Sequence, residues 1–300
     1  KSGGILDRRG ASRALGHIGE PAIPALLELL ENPDDRVRRS AAEALEIAKW
    51  QPPADESGAR YWVALQEWNQ CVQLGLLAIP SLYVILTDAN EEIRQSATWV
   101  LGRIGAILEE GEALQALVNR VCQKLDDSSP DVRLAAAEAL GRIADRFESG
   151  MEVESTEKKR QPERKVPAFI RTLQKPLLEK LGDPERNVRR AVGRTLSGTG
   201  WNPKRDTTAA RYWIARERWE HLQELGSRAI QPLMDILQDD SSEIRQAAVD
   251  VLDRVGWIPD RSEAGAAYWI IRGNWEQAAQ VGVPAVRPLI AALHQRVAET

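Results

Sequence analysis

The sequence has few of the residues that build metal sites, disulfides or catalytic centres. Its 300 residues include two Cys and three His, and Cys71 and Cys122 lack the CxxC spacing of a zinc or redox motif. This cysteine usage fits a reducing cytoplasm without a disulfide framework. The chain contains no HExxH, GxxxxGK[ST] or GxSxG motif. These absences favour a noncatalytic protein without a cofactor or metal site, although enzymatic activity stays open.

Charge and hydropathy argue against two further classes of protein. Lys and Arg number 40 and Asp and Glu number 44, which gives a net charge of −4. Nucleic-acid-binding domains usually have a clear basic excess, so nucleic acid is not a favoured partner. No apolar run approaches the roughly 18 residues of a membrane span, and the chain does not begin with a signal peptide. We therefore expect no membrane insertion and a cytoplasmic location, and the start at Lys1 predicts a piece of a larger protein.

Trp is the residue in excess, with ten copies against four Tyr and two Phe. Nine of the ten lie in three Trp segments, near residues 50–75, 201–226 and 257–282. In each segment the Trp-to-Trp steps are twelve and six, and a Gly follows seven positions later. One buried Trp removes about 150–250 Å² from water, enough to anchor a short insertion. The first and last Trp of each segment are therefore interpreted as structural, namely Trp50, Trp68, Trp201, Trp219, Trp257 and Trp275.

The middle of each Trp segment carries a consecutive Tyr and Trp. Adjacent side chains on a helix point about 100° apart, so we expect one ring to face inward and the other to be partly exposed. Tyr and Trp are favoured at binding hot spots, and neighbouring Arg residues complete a cationic aromatic surface. The predicted interaction residues are Tyr61, Trp62, Tyr212, Trp213, Tyr268 and Trp269, together with Arg60, Arg211, Arg216 and Arg272.

A second repeat underlies the Trp pattern. Stretches such as "DDRVRRSAAEAL" and "SSEIRQAAVDVL" place an Arg directly after an aliphatic anchor. The anchors Val37 and Ile93 are 56 positions apart, whereas the step from Asp7 to Val37 is 30, so the basic unit has about 30 residues and a Trp segment adds 26. The Arg of each unit is interpreted as a bridge to the next unit, and an Asp five positions before the anchor as the holder of its turn. These structural residues are Arg38, Arg94, Arg133, Arg189 and Arg245, with Asp88, Asp127, Asp183 and Asp239.

Each 30-residue unit has the pattern of two helices. The stretch "PAIPALLELLEN" from Pro21 repeats its apolar residues at three and four positions, as a buried helical stripe requires. A polar turn follows and can cap the second helix. No stretch alternates with a period of two, so no sheet is expected. Because such pairs bury their faces against neighbouring pairs, the sequence predicts an all-α fold, an α-solenoid of tandem antiparallel helix pairs with three inserted Trp-rich helical hairpins.

One stretch interrupts the repeats. Residues 146–165, "RFESGMEVESTEKKRQPERK", contain few apolar residues and a block of acids followed by a block of bases. This composition predicts a charged flexible loop or linker. The predicted domains are therefore 1–145, with a Trp-rich insertion near 50–75, and 166–300, with insertions near 201–226 and 257–282.

The "D-x4-V-R-x2-A-A-x2-L" core and the "G-x-P-A-[IV]-x-P-L" openings resemble the HEAT-repeat family, specifically the short HEAT-like repeats of the phycobilisome-lyase type. The resemblance covers nearly the whole chain and implies an α-solenoid, but such arrays serve many roles. It is compatible with a noncatalytic scaffold or recognition module that binds a protein. One alternative is a bilin lyase or bilin-binding protein, and a less favoured one is a DNA-binding HEAT-like protein.

Overall fold

A computed structural model describes residues 3–148 and 166–295, with side-chain environments from residue 8 to 147 and from 166 to 294. All regular elements in these ranges are helices, so the predicted all-α fold is confirmed. The chain divides into two compact units, unit 1 up to Leu173 and unit 2 from Gln174. Residues 149–165 of the predicted linker lie outside the described residues, and residues 146–148 belong to a helix.

The described part of unit 1 contains ten α-helices, joined by short loops and 3₁₀ turns. The helices are α1 (Gly3–Ile18), α2 (Ile23–Leu29), α3 (Asp35–Ile47), α4 (Glu56–Leu65), α5 (Trp68–Leu74), α6 (Ile79–Ile85), α7 (Glu91–Ile107), α8 (Glu112–Gln123), α9 (Pro130–Glu148) and α10 (Ala168–Arg171).

The described part of unit 2 contains nine α-helices. They are α11 (Gln174–Glu179), α12 (Arg186–Gly198), α13 (Thr207–Ala215), α14 (Glu220–Leu225), α15 (Ile230–Asp235), α16 (Ser242–Arg254), α17 (Glu263–Ile271), α18 (Trp275–Val281) and α19 (Val286–Gln295).

The repeats pair a first helix with a longer second helix. The pairs are α2 with α3, α6 with α7, α8 with α9, α11 with α12 and α15 with α16, and the two helices of each pair pack together. Pro24 and Pro80 stand in the first turns of α2 and α6, where a missing N–H costs nothing. The side chains of Asp34, Asn90 and Ser241 accept hydrogen bonds from first-turn N–H groups of α3, α7 and α16. Local signals therefore define where the second helices begin.

Two second helices can pack directly against each other, as α7 and α9 do along their length. Gly102 and Gly105 of α7 lie against Ala139 and Ile143 of α9, so closely that a methyl group at either glycine would overlap them. The pair α1 and α3 also packs directly. Small residues on the facing surfaces make this direct step possible.

Each Trp segment forms two short helices that lie in the stack. In unit 1, α4 packs against α3, α5 and α6, and α5 packs against α7. In unit 2, α13 packs against α12, α14 and α15, and α14 packs against α16. The third segment forms α17 and α18, which pack against each other. The predicted helical hairpins are confirmed, and the first two supply a layer between successive repeats.

None of the described helices combines the length and the apolar composition that crossing a lipid bilayer requires.

Candidate interaction site in the Trp segments

The three Trp segments begin in the same way. A residue with a left-handed backbone directly precedes the first Trp, namely Lys49, Gly200 or Gly256. Five residues after that Trp, a side chain caps the first short helix. Asp55, Asp206 or Ser262 accepts a hydrogen bond from the N–H three residues later. The helix that carries the Tyr–Trp pair is therefore started by the same cap position in each segment.

The turn between the two short helices has the same geometry in all three segments. Gln66, Glu217 and Gly273 have positive φ angles of 60°, 54° and 72°. The N–H of the following residue donates back to the carbonyl of the middle Trp, at Trp62, Trp213 or Trp269. This is the Schellman arrangement, which ends a helix and satisfies its last carbonyls.

The aromatic rings of each segment form a three-ring cluster of Trp, Tyr and Trp. The centroid of Tyr61 lies 5.4 Å from that of Trp50 and 4.9 Å from that of Trp62. The matching distances are 5.0 and 4.8 Å around Tyr212, and 5.6 and 5.0 Å around Tyr268. All six contacts are edge-to-face, the geometry that the ring quadrupoles favour. The Tyr is the central ring of each cluster.

Burial separates the two adjacent rings. The tyrosines are 5%, 6% and 8% exposed, at Tyr61, Tyr212 and Tyr268. The neighbouring Trp62, Trp213 and Trp269 are half-buried and pack against the hydrophobic cores of their units. The surface that each Tyr–Trp pair offers to a partner is therefore that of the indole.

A polar residue stands four positions before the first Trp of each segment, and in the second and third segments it contacts the Tyr hydroxyl. Ser197 Oγ lies 3.0 Å from Tyr212 Oη, and Tyr268 Oη donates to Asp253 at 2.6 Å. Burial raises the pKa of Tyr61, and the charge of Glu46 adds to the effect. The sequence reasoning missed Glu46, Ser197 and Asp253, although a polar residue recurs at the same place in all three copies.

The predicted Arg residues lie among acids. Arg60 pairs with Glu31 at 2.7 Å and with Glu56 at 3.6 Å. Arg211 pairs with Asp235 at 3.3 Å. These exposed or half-exposed pairs contribute little to stability and leave the guanidinium groups at the surface.

The remaining two Arg residues are placed close to the middle Trp, three positions after it. Arg272 pairs with Asp250 at 3.0 Å and with Asp253, and its Cζ lies 6.0 Å from the centroid of Tyr268. The aliphatic part of Arg216 lies against Gly193 of α12. The cation–aromatic contact of Arg272 is thus with the buried Tyr268, and Arg216 packs through its aliphatic part against α12.

The last Trp of the segments is the most variable in environment. Trp68 and Trp219 are half-buried, and Trp219 packs against the core of unit 2. Trp275 is 48% exposed.

The second segment has one further ring contact. There the middle Trp stacks on a His, and the ring centroids of Trp213 and His221 lie 4.0 Å apart.

Arg and Asp residues that recur in the repeats form ion pairs between successive repeats. Arg38 pairs with Asp88 at 2.5 Å across the first Trp segment, and both side chains are almost fully buried. Arg94 binds both oxygens of Asp127, at 3.0 and 2.8 Å, across the direct step from α7 to α9. Arg189 pairs with Asp239 across the second Trp segment. We call this set of pairs the Arg–Asp ladder.

The recurring Arg of each repeat, whether or not it belongs to the ladder pairs named above, also holds the turn before its own helix. One nitrogen of Arg38 donates to the carbonyls of Asn32 and Pro33, and Arg94, Arg133, Arg189 and Arg245 repeat the contact in their own turns. Asp183 accepts a hydrogen bond from the N–H of Glu185, and the ladder acids Asp88, Asp127 and Asp239 likewise each accept one from the N–H two residues later. Burial alone raises the pKa of Asp127, but hydrogen bonds from Arg94 and from the N–H of Ser129 outweigh it and hold that pKa below its ordinary value.

Glu217, the left-handed residue of the second segment, is a further bridge that sequence reasoning missed. Its carboxylate accepts two hydrogen bonds from Arg186 of α12, at 3.0 and 3.1 Å, and lies 3.3 Å from Arg190. Arg186 also reaches Ser241, the cap of α16, at 3.4 Å. No sequence signal singles out this bridge, because the corresponding residues Gln66 and Gly273 carry no charge.

Side chains suited to covalent or metal chemistry are sparse. Cys71 is buried, and burial raises the pKa of its thiol to about 12. Among residues 3–148 and 166–295, no three His, Cys, Asp or Glu side chains are grouped as metal ligands. The feature that recurs in both units is a half-buried indole beside a buried Tyr.

Comparison with known proteins matches part of the chain to a family. Residues 6–55 and 79–149 match the family model for HEAT repeats. Phycocyanobilin lyase subunit alpha from Nostoc sp. is 50% identical over 48 residues, which are 16% of this chain and 17% of that protein. The resemblance to HEAT-like repeats of the phycobilisome-lyase type is therefore confirmed, and the residues that match the family model all lie in unit 1.

Two engineered proteins solved by the Northeast Structural Genomics Consortium are similar in structure. One is 20% identical with a TM-score of 0.34, and the comparison covers 84% of this chain and 92% of that chain. The other is 17% identical with a TM-score of 0.28, covering 96% and 94%.

Proposed function

From the match of residues 6–55 and 79–149 to HEAT repeats, we propose that the chain is a noncatalytic protein-binding module whose contact residues include the middle Trp of each Trp segment. The observation that carries the proposal is the fixed, half-buried state of Trp62, Trp213 and Trp269. Each indole is held edge-to-face against a buried Tyr, and part of its surface remains open.

An indole held in this way is suited to recognition. Rigid aromatic side chains lose little conformational entropy on binding and supply large contact areas. Trp and Arg are also the residues most enriched at binding hot spots, which supports a role for Arg216 and Arg272 beside Trp213 and Trp269. A protein surface with exposed apolar groups is the partner that the half-buried indoles fit.

The repeat itself supports binding rather than catalysis. Stacked repeats present similar side chains at regular intervals, and several weak contacts at such intervals add up to one extended interface. A reducing cytoplasm remains our proposal for the setting in which the module works.

Affinity capture tests this function with a matched control. The variant carries Trp213→Ala and Trp269→Ala, and the control carries Trp99→Ala, a half-buried Trp outside the three segments. We expect the double variant to recover at least about tenfold less of a partner that wild type captures, because hot-spot truncation costs about 2 kcal/mol or more. The control should recover it as wild type does.

The folded state of each variant is checked by circular dichroism and thermal unfolding. If the double variant unfolds, Trp213→Phe with Trp269→Phe keeps a ring in each place and should give a graded loss of recovery. Equal recovery by folded wild type and variant would remove the middle Trp residues from the proposal.

The 48-residue match to a phycocyanobilin lyase subunit favours a second candidate, a bilin-binding protein. The half-buried indoles are of the kind that line an apolar chromophore pocket. Phycocyanobilin mixed with the purified chain tests it by visible absorption. A red shift at micromolar bilin supports this candidate, and an unchanged spectrum rejects it.

A further inference from the structure

The contact between α12 and α13 in unit 2 concentrates arginine side chains. The stem of Arg216 lies across Gly193 of α12, so that a methyl group added at Gly193 would stand 3.3 Å from its Cδ. Arg194 directly follows Gly193, and Arg190 precedes Arg194 by one helical turn. Side chains one turn apart on a helix are neighbours. We call Arg190, Arg194 and Arg216 the Arg seam.

The charge of the Arg seam is only partly balanced. Glu217 lies 3.3 Å from Arg190, but its two oxygens also accept hydrogen bonds from Arg186, at 3.0 and 3.1 Å. Among the side chains that the structure describes, Arg194 and Arg216 form no ion pair with an acid. Arg194 is exposed and Arg216 is half-buried. An anion from outside can therefore reach both guanidinium groups.

The third copy of this arrangement is neutralised by its own acids. The Arg three positions after its middle Trp is Arg272, which pairs with Asp250 at 3.0 Å and also with Asp253. Asp250 and Asp253 stand 56 positions after Arg194 and Ser197. The second copy thus has an Arg and a Ser where the third copy has the two carboxylates that bind its Arg.

The first copy also differs from the second in charge. It carries Glu43 and Glu46 at the places of Arg194 and Ser197. Over the four positions equivalent to 190, 194, 197 and 216, the first and third copies each have one Arg and two acids, whereas the second has three Arg and a Ser. Like charges one turn apart destabilise a helix, and a bound anion would offset that repulsion.

We propose that the Arg seam binds carboxylates from an acidic segment of a protein partner. Asp250 and Asp253 show that two carboxylates fit beside the guanidinium at the equivalent place. Guanidinium groups hold carboxylates by charge-assisted hydrogen bonds of good geometry. Arg216 follows Trp213 by three residues, or about 5 Å along the helix axis, so a partner on the indole can also reach the seam. The inference rests on the proposed protein-binding function and names the partner's chemistry at the second copy.

A protein carboxylate fits the Arg seam better than a nucleic acid does. Nucleic-acid sites usually spread a basic excess over a whole face, and this chain has a net charge of −4. Glu217 also stands within the seam, 3.3 Å from Arg190, and would repel a row of phosphates. A short acidic segment can instead place single carboxylates at Arg194 and Arg216.

A labelled acidic peptide tests the proposal directly. The probe is a short peptide in which Glu and Ala alternate, added to the full chain and followed by fluorescence anisotropy. We expect saturable binding with a Kd on the order of 100 μM at about 50 mM salt, and at least about threefold weaker binding at about 200 mM, because salt screens exposed charges. The same peptide with Gln in place of Glu should bind at least about tenfold more weakly.

Variants of the protein place the binding at the Arg seam. Arg194→Asp restores the acid that the other two copies carry, so binding of the Glu peptide should weaken at least about tenfold. Arg39→Asp is the matched control with the same change of charge, because Arg39 is the exposed counterpart of Arg190 in the first copy, and it should bind as wild type does. Circular dichroism checks that each variant folds. If Arg194→Asp does not fold, Arg194→Gln should weaken binding at least about threefold.

Three results would overturn the proposal. The first is equal binding of the Glu and Gln peptides, and the second is equal binding of the Glu peptide by wild type and folded Arg194→Asp. The third is a single-stranded oligonucleotide that binds more tightly than the Glu peptide and is lost in Arg194→Asp, which would assign the seam to nucleic acid. Partner capture that needs Trp213 and Trp269 but is unchanged in Arg194→Asp would reject the Arg seam and leave the proposed function standing.

Discussion

Unit 1 contains two different steps between successive second helices. From α7 to α9 the helices touch directly, and Gly102 and Gly105 allow their backbones to approach closely. From α3 to α7 the short helices α4 and α5 lie between them, with a Trp–Tyr–Trp cluster at their centre. Small residues fill one step and large aromatic residues fill the other.

The ladder is nevertheless the same in both steps. Arg38 reaches Asp88 across the Trp segment, and Arg94 reaches Asp127 across the direct step. The turns before the second helices therefore stay within ion-pair distance whether or not two helices are inserted. The comparison indicates that the ladder fixes how the starts of successive second helices are aligned. Farther along, those helices can either pack directly or be separated by two short helices.

The largest expected effect is in the aromatic filling of the Trp step. Tyr61→Ala removes the central, buried ring between Trp50 and Trp62, and we expect a loss of about 3–5 kcal/mol in the free energy of unfolding. Tyr61→Phe keeps the ring and should cost about 1 kcal/mol at most. Urea unfolding measures both, and similar losses for the two variants would show that the ring is not the important part.

The ladder should respond equally in the two steps. Asp88→Ala and Asp127→Ala each leave a largely buried Arg without its carboxylate, so each should lose about 3 kcal/mol of unfolding free energy. The same urea measurement compares them. A difference greater than about 1.5 kcal/mol would mean that the ladder depends on what lies between the helices.

The direct step should respond to a single methyl group. Gly102→Ala places that group against the backbone of Ala139, and we expect a loss of about 1–3 kcal/mol. Gly10→Ala is the control, because Gly10 is helical with open space around it and alanine favours a helix there by up to about 1 kcal/mol. In thermal unfolding, we expect Gly102→Ala to lower the Tm and Gly10→Ala to raise it. Equal shifts of the Tm in the two variants would contradict the close approach of α7 and α9.

The smallest expected effect is an acid dependence in the direct step. The lowered pKa of Asp127 means that its contribution to stability is complete above the ordinary Asp pKa of about 4 and is lost as the pH falls through the folded-state value. Asp127→Asn should therefore have a smaller slope of unfolding free energy against pH between about pH 5 and pH 3. An unchanged slope would show that the Asp127 carboxylate does not contribute to the pH dependence of the unfolding free energy.

Much of the fold follows from local patterns in the sequence. The positions of Pro24 and Asn90 mark where helices begin, and the spacing of Val37, Ile93 and Ile244 gives the repeat. These signals act within a few residues or recur at a fixed period, so a single sequence is enough to read them. The helix pairs and the three hairpins were predictable for that reason.

The arrangement of the site was less accessible from sequence. Tyr61 and Trp62 are both large and aromatic, so composition cannot say which ring is buried; that depends on how α4 lies against α3 and α6. The contact of Asp253 with Tyr268 joins residues 15 apart, and the bridge from Arg186 to Glu217 joins residues 31 apart. The exposure of Trp275 likewise depends on which helix packs beside it.

The common ladder has a consequence for how such a chain can change in length. In-frame gain or loss of the 26 codons of a Trp segment leaves every Arg and Asp of the ladder in its place in the sequence of contacts. We therefore expect a Trp segment to be gained or lost as a unit where the two second helices it separates carry facing residues small enough to pack directly, as α7 and α9 do.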